Sequence, residues 1–230
     1  KGKLIKSNLT SPDTISLHKS LDNIKRKKID NVIIEASSHG LQQKRIDHLS
    51  LKVAIFTNFS QDHLDYHKTM NSYFTAKMHL FKKIISPKKT IILDRSIKEF
   101  SILKRISKTR SLHLIESNKT KNKLDKLVGN RFNDFQKKNL SMAIEAAKQC
   151  NLKEKKIFKS LTKIKDINGR LELIKTFSNN IRVFVDFAHT PDALLKSIKA
   201  LKNSYNSEIS LVFGCGGNRD LKKRPIMAKI

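Results

Sequence analysis

Short apolar runs rich in β-branched residues alternate along this chain with longer stretches whose apolar residues recur every three or four positions. That alternation confines the chain to an α/β fold with a mostly parallel sheet. Residues 31–36, 53–58 and 90–93 read as buried strands. The spacing of Phe74, Met78 and Phe81 predicts a helix over 71–83, and further helical patterns run over 96–105, 137–150 and 153–161. The pattern breaks around Gly169 and Arg170. A strand pair over 171–176 and 182–187 follows, then a helix over 191–201 with Pro191 near its start, where the lost N–H matters least, and a strand over 210–213. A domain boundary is therefore placed near Gly169, dividing the chain into 1–168 and 169–230. Residues 117–126 are polar and read as an exposed loop.

Composition narrows the function classes. The 230 residues are 38% hydrophobic, enough to bury a core, with a formal net charge of +28. Such a charge raises the possibility of a nucleic-acid partner. However, 38 of the 48 basic residues are lysines spread from Lys1 to Lys229 rather than gathered in a stripe with stacking aromatics. No apolar run approaches the ~20 residues of a membrane span, and the first residues lack an apolar leader. Two cysteines, Cys150 and Cys215, make no disulfide framework. A cytoplasmic protein is expected. The chain starts without Met and ends in mid-pattern, as a fragment would.

Four clusters carry candidate chemistry, each just past an expected strand, where ligands bind in open α/β sheets. Glu35, Ser37, Ser38 and His39 combine a carboxylate, hydroxyls and an imidazole; the plain alternative is a strand-end Glu with a capping Ser. Asp62, His63, Asp65 and His67 offer oxygen and imidazole ligands to a divalent cation, or else a helix cap with incidental histidines. Asp186, His189 and Asp192 suggest contact with a nucleotide or substrate, or a loop leading into a helix. The run from Gly214 to Asp220 is either an anion-binding turn or a tight connection. No Gly-x-x-x-x-Gly-Lys-[Ser/Thr] phosphate loop is present.

Taken in order, these strings resemble the Mur ligases of peptidoglycan synthesis. They are similar to the type that adds the third residue to UDP-N-acetylmuramoyl-L-alanyl-D-glutamate (the MurE type). The resemblance runs from about Asn8 to the end. It is carried by Thr10-Ser11-Pro12-Asp13, Glu35 through Leu41, Asn58 through His67, Ala76-Lys77 with Leu80-Phe81, Gly169-Arg170-Leu171-Glu172, Asp186 through Asp192, and Gly214 through Pro225. It implies a central ATPase-like α/β domain, partial here, followed by the start of a Rossmann-like C-terminal domain. It also implies an ATP- and Mg²⁺-dependent amide ligase acting through an acyl phosphate.

By that resemblance Glu35, His63 and Lys77 are the catalytic and metal-binding residues. Two Mg²⁺ ions are implied: Glu35 helps hold one, His63 serves the other, and Lys77 carries a CO₂-derived carbamate on the metal side of the site. Thr10, Ser11, Ser37, Gln43 and Arg45 match positions that bind the UDP-muramoyl dipeptide, and Arg219 one that contacts the incoming amino acid. Arg170, Asp186 and His189 match positions near ATP. For adenine, Phe135 to Asn139 looks like the family's Phe-Asn-x-x-Asn with Gln136 in place of the first Asn, followed directly by the expected helix. A second alignment starts at Phe132-Asn133. The partners implied are the UDP-muramoyl dipeptide, ATP and a diamino acid, with no specific nucleic acid, no membrane insertion and a monomeric state. Meso-diaminopimelate is expected over L-lysine from the family's spread and the Arg219 match, since the family's selectivity motif lies beyond Ile230. Without its phosphate loop the fragment is expected to be inactive. Two rivals remain. One is another amide ligase of the superfamily, of the folylpolyglutamate or cyanophycin synthetase type. The other is a basic nucleic-acid-binding protein on a degenerate ligase fold.

Overall fold

The computed structural model describes residue 7, residues 9–217 and residues 220–230. Its centre is a three-stranded parallel sheet in the order β1-β2-β3, formed by Val53–Phe56, Thr90–Leu93 and His113–Glu116. The register runs Val53 to Thr90 to His113 and ends Phe56 to Leu93 to Glu116. The middle strand is buried along its whole length, as a strand covered on both faces must be. Ile91, Ile92 and Leu93 are completely inaccessible.

Two helices precede the sheet, α1 (Thr14–Arg26) and α2 (Ser38–Gln42). Asp13 caps α1 by accepting the Ser16 N–H, and Leu17 is its buried contact. Between β1 and β2 lie α3 (Leu64–His67) and α4 (Met70–His79). The last turn of α4 widens into a π-helical segment, Leu80–Ile84, closed by Ile85 N–H donating to the Leu80 carbonyl at 3.0 Å. Met78, Phe81 and Ile84 reach the core through this stretch. Helix α5 (Phe100–Thr109) joins β2 to β3 and buries Leu103 in the same cluster.

A second, smaller core lies where α6 (Asn118–Val128), α7 (Asp134–Gln149) and α8 (Glu154–Leu161) meet around Leu124, Ile144, Ile157 and Leu161. The C-terminal unit opens with an antiparallel pair, β4 (Glu172–Thr176) and β5 (Arg182–Val185), with an irregularity between Leu173 and Lys175. Helix α9 (Pro191–Tyr205), with Pro191 at its start and Thr190 as its cap, and the short α10 (Lys223–Ala228) follow.

Several expectations are corrected. Residues 31–36 form no strand; Val32 and Ile33 are exposed, Ile33 at 98%. Residues 210–213 form none either, and Val212 is 99% exposed. An apolar run becomes a strand only beside a ladder partner, and among the described residues neither run has one. Residues 117–126 are not a loop but most of α6. Their many lysines hide a helical stripe in which Thr120 and Leu124 are buried against α7, and the Thr120 hydroxyl donates to Glu145. Lys121 pairs with Asp125 one turn on and with Asp134. Helix α7 starts at Asp134, earlier than the expected 137, because Asn133 and Gln136 form a reciprocal capping box.

Truncating Leu124→Ala is expected to lower stability by about 2–5 kcal/mol, since the side chain is wholly buried. Urea unfolding measures it. A cost below about 0.5 kcal/mol, typical of surface positions, would contradict the placement of α6.

Candidate functional site

The site forms where the chain leaves β1. Residues 57–63 run from the carboxyl end of that strand to α3, and His63 occupies the left-handed region at φ 56°, ψ 24°. Histidine enters this region more readily than most residues, at a modest cost. Here the turn is held by the His63 N–H donating to Asp62 Oδ1 at 2.9 Å. The imidazole of His63 is thereby turned toward α4, edge-on to Tyr73 at 5.7 Å and to His39 at 4.9 Å.

Lys77 follows Tyr73 by one helical turn on α4, its Nζ 5.2 Å from that ring's centre. Burial pushes the Lys77 ammonium below the usual lysine range, against the opposing pull of Asp62 and Glu35. Burial likewise lowers His63, opposed by Asp62, while the charges of His39 and Lys77 lower it further. Glu35, His63 and Lys77 therefore lie within electrostatic reach of a common region. Among the described residues, no three or more His, Cys, Asp or Glu side chains are grouped to hold a metal ion. The anticipated set depends on Lys77 as one of its members.

A network of short contacts joins Glu35 to its neighbours. The Ser11 hydroxyl donates to the Glu35 carbonyl at 2.8 Å, lies 3.0 Å from Ser37 Oγ and accepts the Ser37 N–H at 2.9 Å. Ser37 caps α2 by accepting the Gly40 N–H at 3.1 Å. Arg45 Nη1 donates to the Ser11 carbonyl at 2.7 Å, and its other nitrogen bonds the Gln43 side chain, whose Nε2 donates to Tyr66 at 3.1 Å. Ser11, Ser37, Gln43 and Arg45 are thus brought together, with their polar groups bonded to one another. Thr10 lies beside them, exposed in a bend.

The C-terminal unit supplies the other side. His189 Nδ1 meets the Phe187 carbonyl at 2.9 Å and its Nε2 faces Asp62 at 3.4 Å, so both ring nitrogens face acceptors. The Asp62 contact raises the His189 pKa. Asp62 is depressed well below the usual carboxylate range: burial opposes this, and is outweighed by the His189 hydrogen bond, the His63 N–H bond and charge, and the charge of Lys223. Asp186 accepts the Leu171 and Ala188 N–H groups, each at 2.7 Å, and the Ser197 hydroxyl at 3.2 Å, which fixes the turn leading to His189. Arg170 stacks over Phe187 at 4.7 Å. Arg219 lies outside the described residues.

Two sequence expectations change here. Asp62 is no helix cap for α3, whose cap position is His63. Gln136 is spent on the capping box, and Asn139 lies exposed inside α7 rather than ahead of it. The stated reason for starting the adenine string at Phe135 is lost, because the helix already begins at Asp134; the alignment from Phe132-Asn133 ends at the cap instead.

Tyr73 and Lys223 were not singled out by sequence reasoning, and His67, named there as a candidate cation ligand, takes a different place. His67 is 4% exposed, stacked on Tyr73 at 5.1 Å, with Nε2 2.9 Å from the Ser38 hydroxyl, so it ties α3 to the start of α2. For Tyr73 the signal available was its spacing of one helical turn from Lys77. Lys223 gave no signal among so many lysines.

Gly40 has no room for a side chain: an added Cβ would stand 2.8 Å from Ser11 Cβ and 3.1 Å from Ser37 Oγ. Gly40→Ala is expected to lower stability by about 1–3 kcal/mol and to shift the Ser11 and Ser37 amide resonances. Unchanged stability and spectra would contradict this packing. Burial also pushes His67 down to about 4 from the ordinary 6.5. A histidine depressed in this way favours the folded state fully above pH 6.5, and that contribution is lost as pH falls from 6.5 toward 4. An NMR titration is expected to show the His67 ring neutral at pH 5.5; a midpoint near 6.5 would contradict its enclosure.

With this geometry in hand, comparison with known proteins is specific. Residues 1–162 match the Mur ligase middle domain, and residues 169–230 match the Mur ligase, glutamate ligase domain. UDP-N-acetylmuramoyl-L-alanyl-D-glutamate--2,6-diaminopimelate ligase of Rickettsia bellii (strain RML369-C) is 36% identical over 249 residues, covering 96% of this chain and 51% of the relative. The protein of the same name from Fusobacterium nucleatum subsp. nucleatum is 38% identical over 239 residues, covering 96% and 49%. The chain spans about half the length of the curated relatives it matches. A solved structure of a protein with that name superposes with a TM-score of 0.63 at 24% identity over 95% of this chain and 49% of the other. MurF from Acinetobacter baumannii superposes with a TM-score of 0.53 at 14% identity over 65% and 37%. These two likenesses concern the fold. The parallel sheet with its helices, and the strand pair that follows it, accordingly fall within two matched domains of one family, and the chain belongs to the Mur ligases.

Proposed function

We propose that this chain is the catalytic middle part of an ATP-dependent amide ligase that joins meso-diaminopimelate to UDP-N-acetylmuramoyl-L-alanyl-D-glutamate in peptidoglycan synthesis. The observation that carries the reading is that His63 and Lys77 both approach the buried Tyr73 ring, at 5.7 and 5.2 Å, with Glu35 within electrostatic reach of Lys77. It is supported by the printed names of relatives 33–38% identical over nearly the whole chain. Those names favour diaminopimelate over L-lysine, and this type over a folylpolyglutamate or cyanophycin synthetase. The scattered lysines give the nucleic-acid reading no comparable support. The boundary between the two units is set between Asn168 and Gly169, in the gap between the matched domains. No helix among the described residues is long and apolar enough to cross a membrane.

In this reading the terminal carboxylate of the dipeptide attacks the γ-phosphorus of ATP and ADP leaves. The amine of the diamino acid then adds to the acyl phosphate, and phosphate departs as the amide forms. Negative charge accumulates at each stage and requires fixed positive partners. The donor chemistry of the site suits magnesium when Lys77 carries a carbamate: Glu35 and the carbamate offer hard oxygens and His63 a nitrogen, whereas an unmodified ammonium repels a cation. When bound, magnesium would offset the charge of the triphosphate and of the oxyanion. The residues themselves do three things. The Asp62 turn aims His63, the Ser11–Ser37–Arg45 network fixes the peptide that carries Glu35, and Tyr73 helps keep water from Lys77. Gln43, Arg45 and Thr10 border the region assigned to the dipeptide. Arg170, Asp186 and His189 are assigned to the nucleotide side, and Arg219 to the amino acid.

A protein in which this chain is completed to the length of its relatives is expected to release phosphate from ATP only when both the UDP-muramoyl dipeptide and meso-diaminopimelate are present. Lys77→Ala is expected to lower that rate on the order of 10²-fold or more. Phosphate release indifferent to either substrate, or an unaffected Lys77 variant, would overturn the reading.

A further inference from the structure

A buried ammonium faces the loop that carries His63. Lys223 begins α10 and is 3% exposed, a costly position for a charge unless it is paired. Its Nζ lies 3.6 Å from Oδ1 of Asp62, which belongs to the other unit of the chain. Oδ2 of the same carboxylate lies 3.4 Å from Nε2 of His189 and 3.3 Å from that of His63. One residue earlier, Gln61 Nε2 donates to Asp220 Oδ2 at 2.9 Å, and the buried Asp220 accepts the Lys222 N–H at 3.1 Å through its other oxygen. Two consecutive residues of the β1–α3 loop therefore receive three side chains from the C-terminal unit.

We propose that Asp62 is the docking residue between the two units: a positioning residue whose carboxylate, shared by His189 and the buried Lys223, holds the C-terminal unit against the loop carrying His63. Asp62 is then not a spare ligand beside His63, because its two oxygens already face Lys223 and His189 across the seam. The costs are unequal. Removing the carboxylate strands Lys223 as a buried charge without a counter-ion, whereas replacing the ammonium with an isosteric thioether leaves Asp62 with His189 and His63. The pairing also restricts orientation: an apolar seam tolerates sliding, but one carboxylate meeting a buried ammonium and a held imidazole, with Gln61 on Asp220 beside it, admits one arrangement. The consequence for chemistry, which rests on the ligase reading, is that Asp62 sets how the C-terminal unit faces Lys77 and His63 without touching substrate.

Hydrogen exchange followed by mass spectrometry on this chain, without nucleotide, tests the docking. Asp62→Asn and Lys223→Met are each expected to speed exchange at least about tenfold in peptides covering 58–64, 186–190 and 220–228, leaving α5 and β2 protected. Lys223→Arg is expected to retain the protection, and the double variant Asp62→Asn with Lys223→Met to do no worse than Asp62→Asn alone. Unchanged seam peptides in Asp62→Asn, simple addition of the two single effects, or loss of protection in Lys223→Arg would overturn the proposal. If Asp62→Asn does not fold, the Lys223 pair of variants decides the question alone. In the protein completed to the length of its relatives, Asp62→Asn is expected to lower kcat about tenfold with the KM for ATP within a factor of two; an unchanged kcat would overturn the positioning role. A wild type without ligase activity would refute the ligase reading and leave the exchange result standing.

Discussion

The structure turns on an amine held partly out of water. Lys77 sits on α4 beneath the Tyr73 ring, with the carboxylates of Asp62 and Glu35 as its electrostatic counterweights. An ammonium in such a position loses hydration that a surface lysine keeps. The neighbouring imidazoles are lowered by the same enclosure, and Tyr73 is pushed up to about 12 by burial. A lysine, two imidazoles and a phenol thus share one small volume in which burial disfavours the charged form of each. Disfavouring the ammonium is what the carbamate proposed for Lys77 requires, since the uncharged amine is the form that adds to CO₂. The parallel sheet makes the arrangement possible: β1 delivers the loop with Asp62 and His63, and α4 returns past it with Tyr73 and Lys77.

The second constraint is electrostatic contact between the two units. Asp62 stands between the two units: its carboxylate meets the neighbouring His63 ring on one side and His189 and Lys223 on the other. The left-handed backbone at His63 belongs to the tight turn that brings this carboxylate and the His63 ring together. The Asp62–His63 turn therefore borders both the proposed site and the seam.

The sequence reading recovered what depends on local pattern and missed what depends on partners. Residues 53–56 and 90–93 are recognisable because β-branched runs between polar flanks do form the central strands. The β4–β5 pair and the Pro191 helix are legible for similar reasons. Residues 31–36 and 210–213 carry the same signal but form no strand, although Ile34 and Ala36 pack against the core, because an apolar run says nothing about whether a neighbour exists to pair with it. Helix α6 was hidden in the other direction, by lysines that drown the Thr120 and Leu124 stripe. Helix α1 was legible in hindsight from the Asp13 cap and the spacing of Leu17, Leu21 and Ile24. At the site, the strings containing Glu35, His63 and Lys77 pointed to one region. Ser11, Arg45 and Gln43 also come together, yet spend their hydrogen bonds on each other, which no motif reveals. The seam through Lys223 was illegible because one buried lysine cannot be told from 37 others by composition.

The central claim is that Lys77 is an amine made reactive toward CO₂ by its enclosure beside His63 and Glu35. Carbon NMR in ¹³C-bicarbonate measures this directly, with Lys77→Met as the assignment control. The account predicts a single protein-bound carbamate resonance at neutral pH that is lost in Lys77→Met and persists in substitutions of the exposed lysines. No carbamate resonance, or one that survives Lys77→Met, would contradict it.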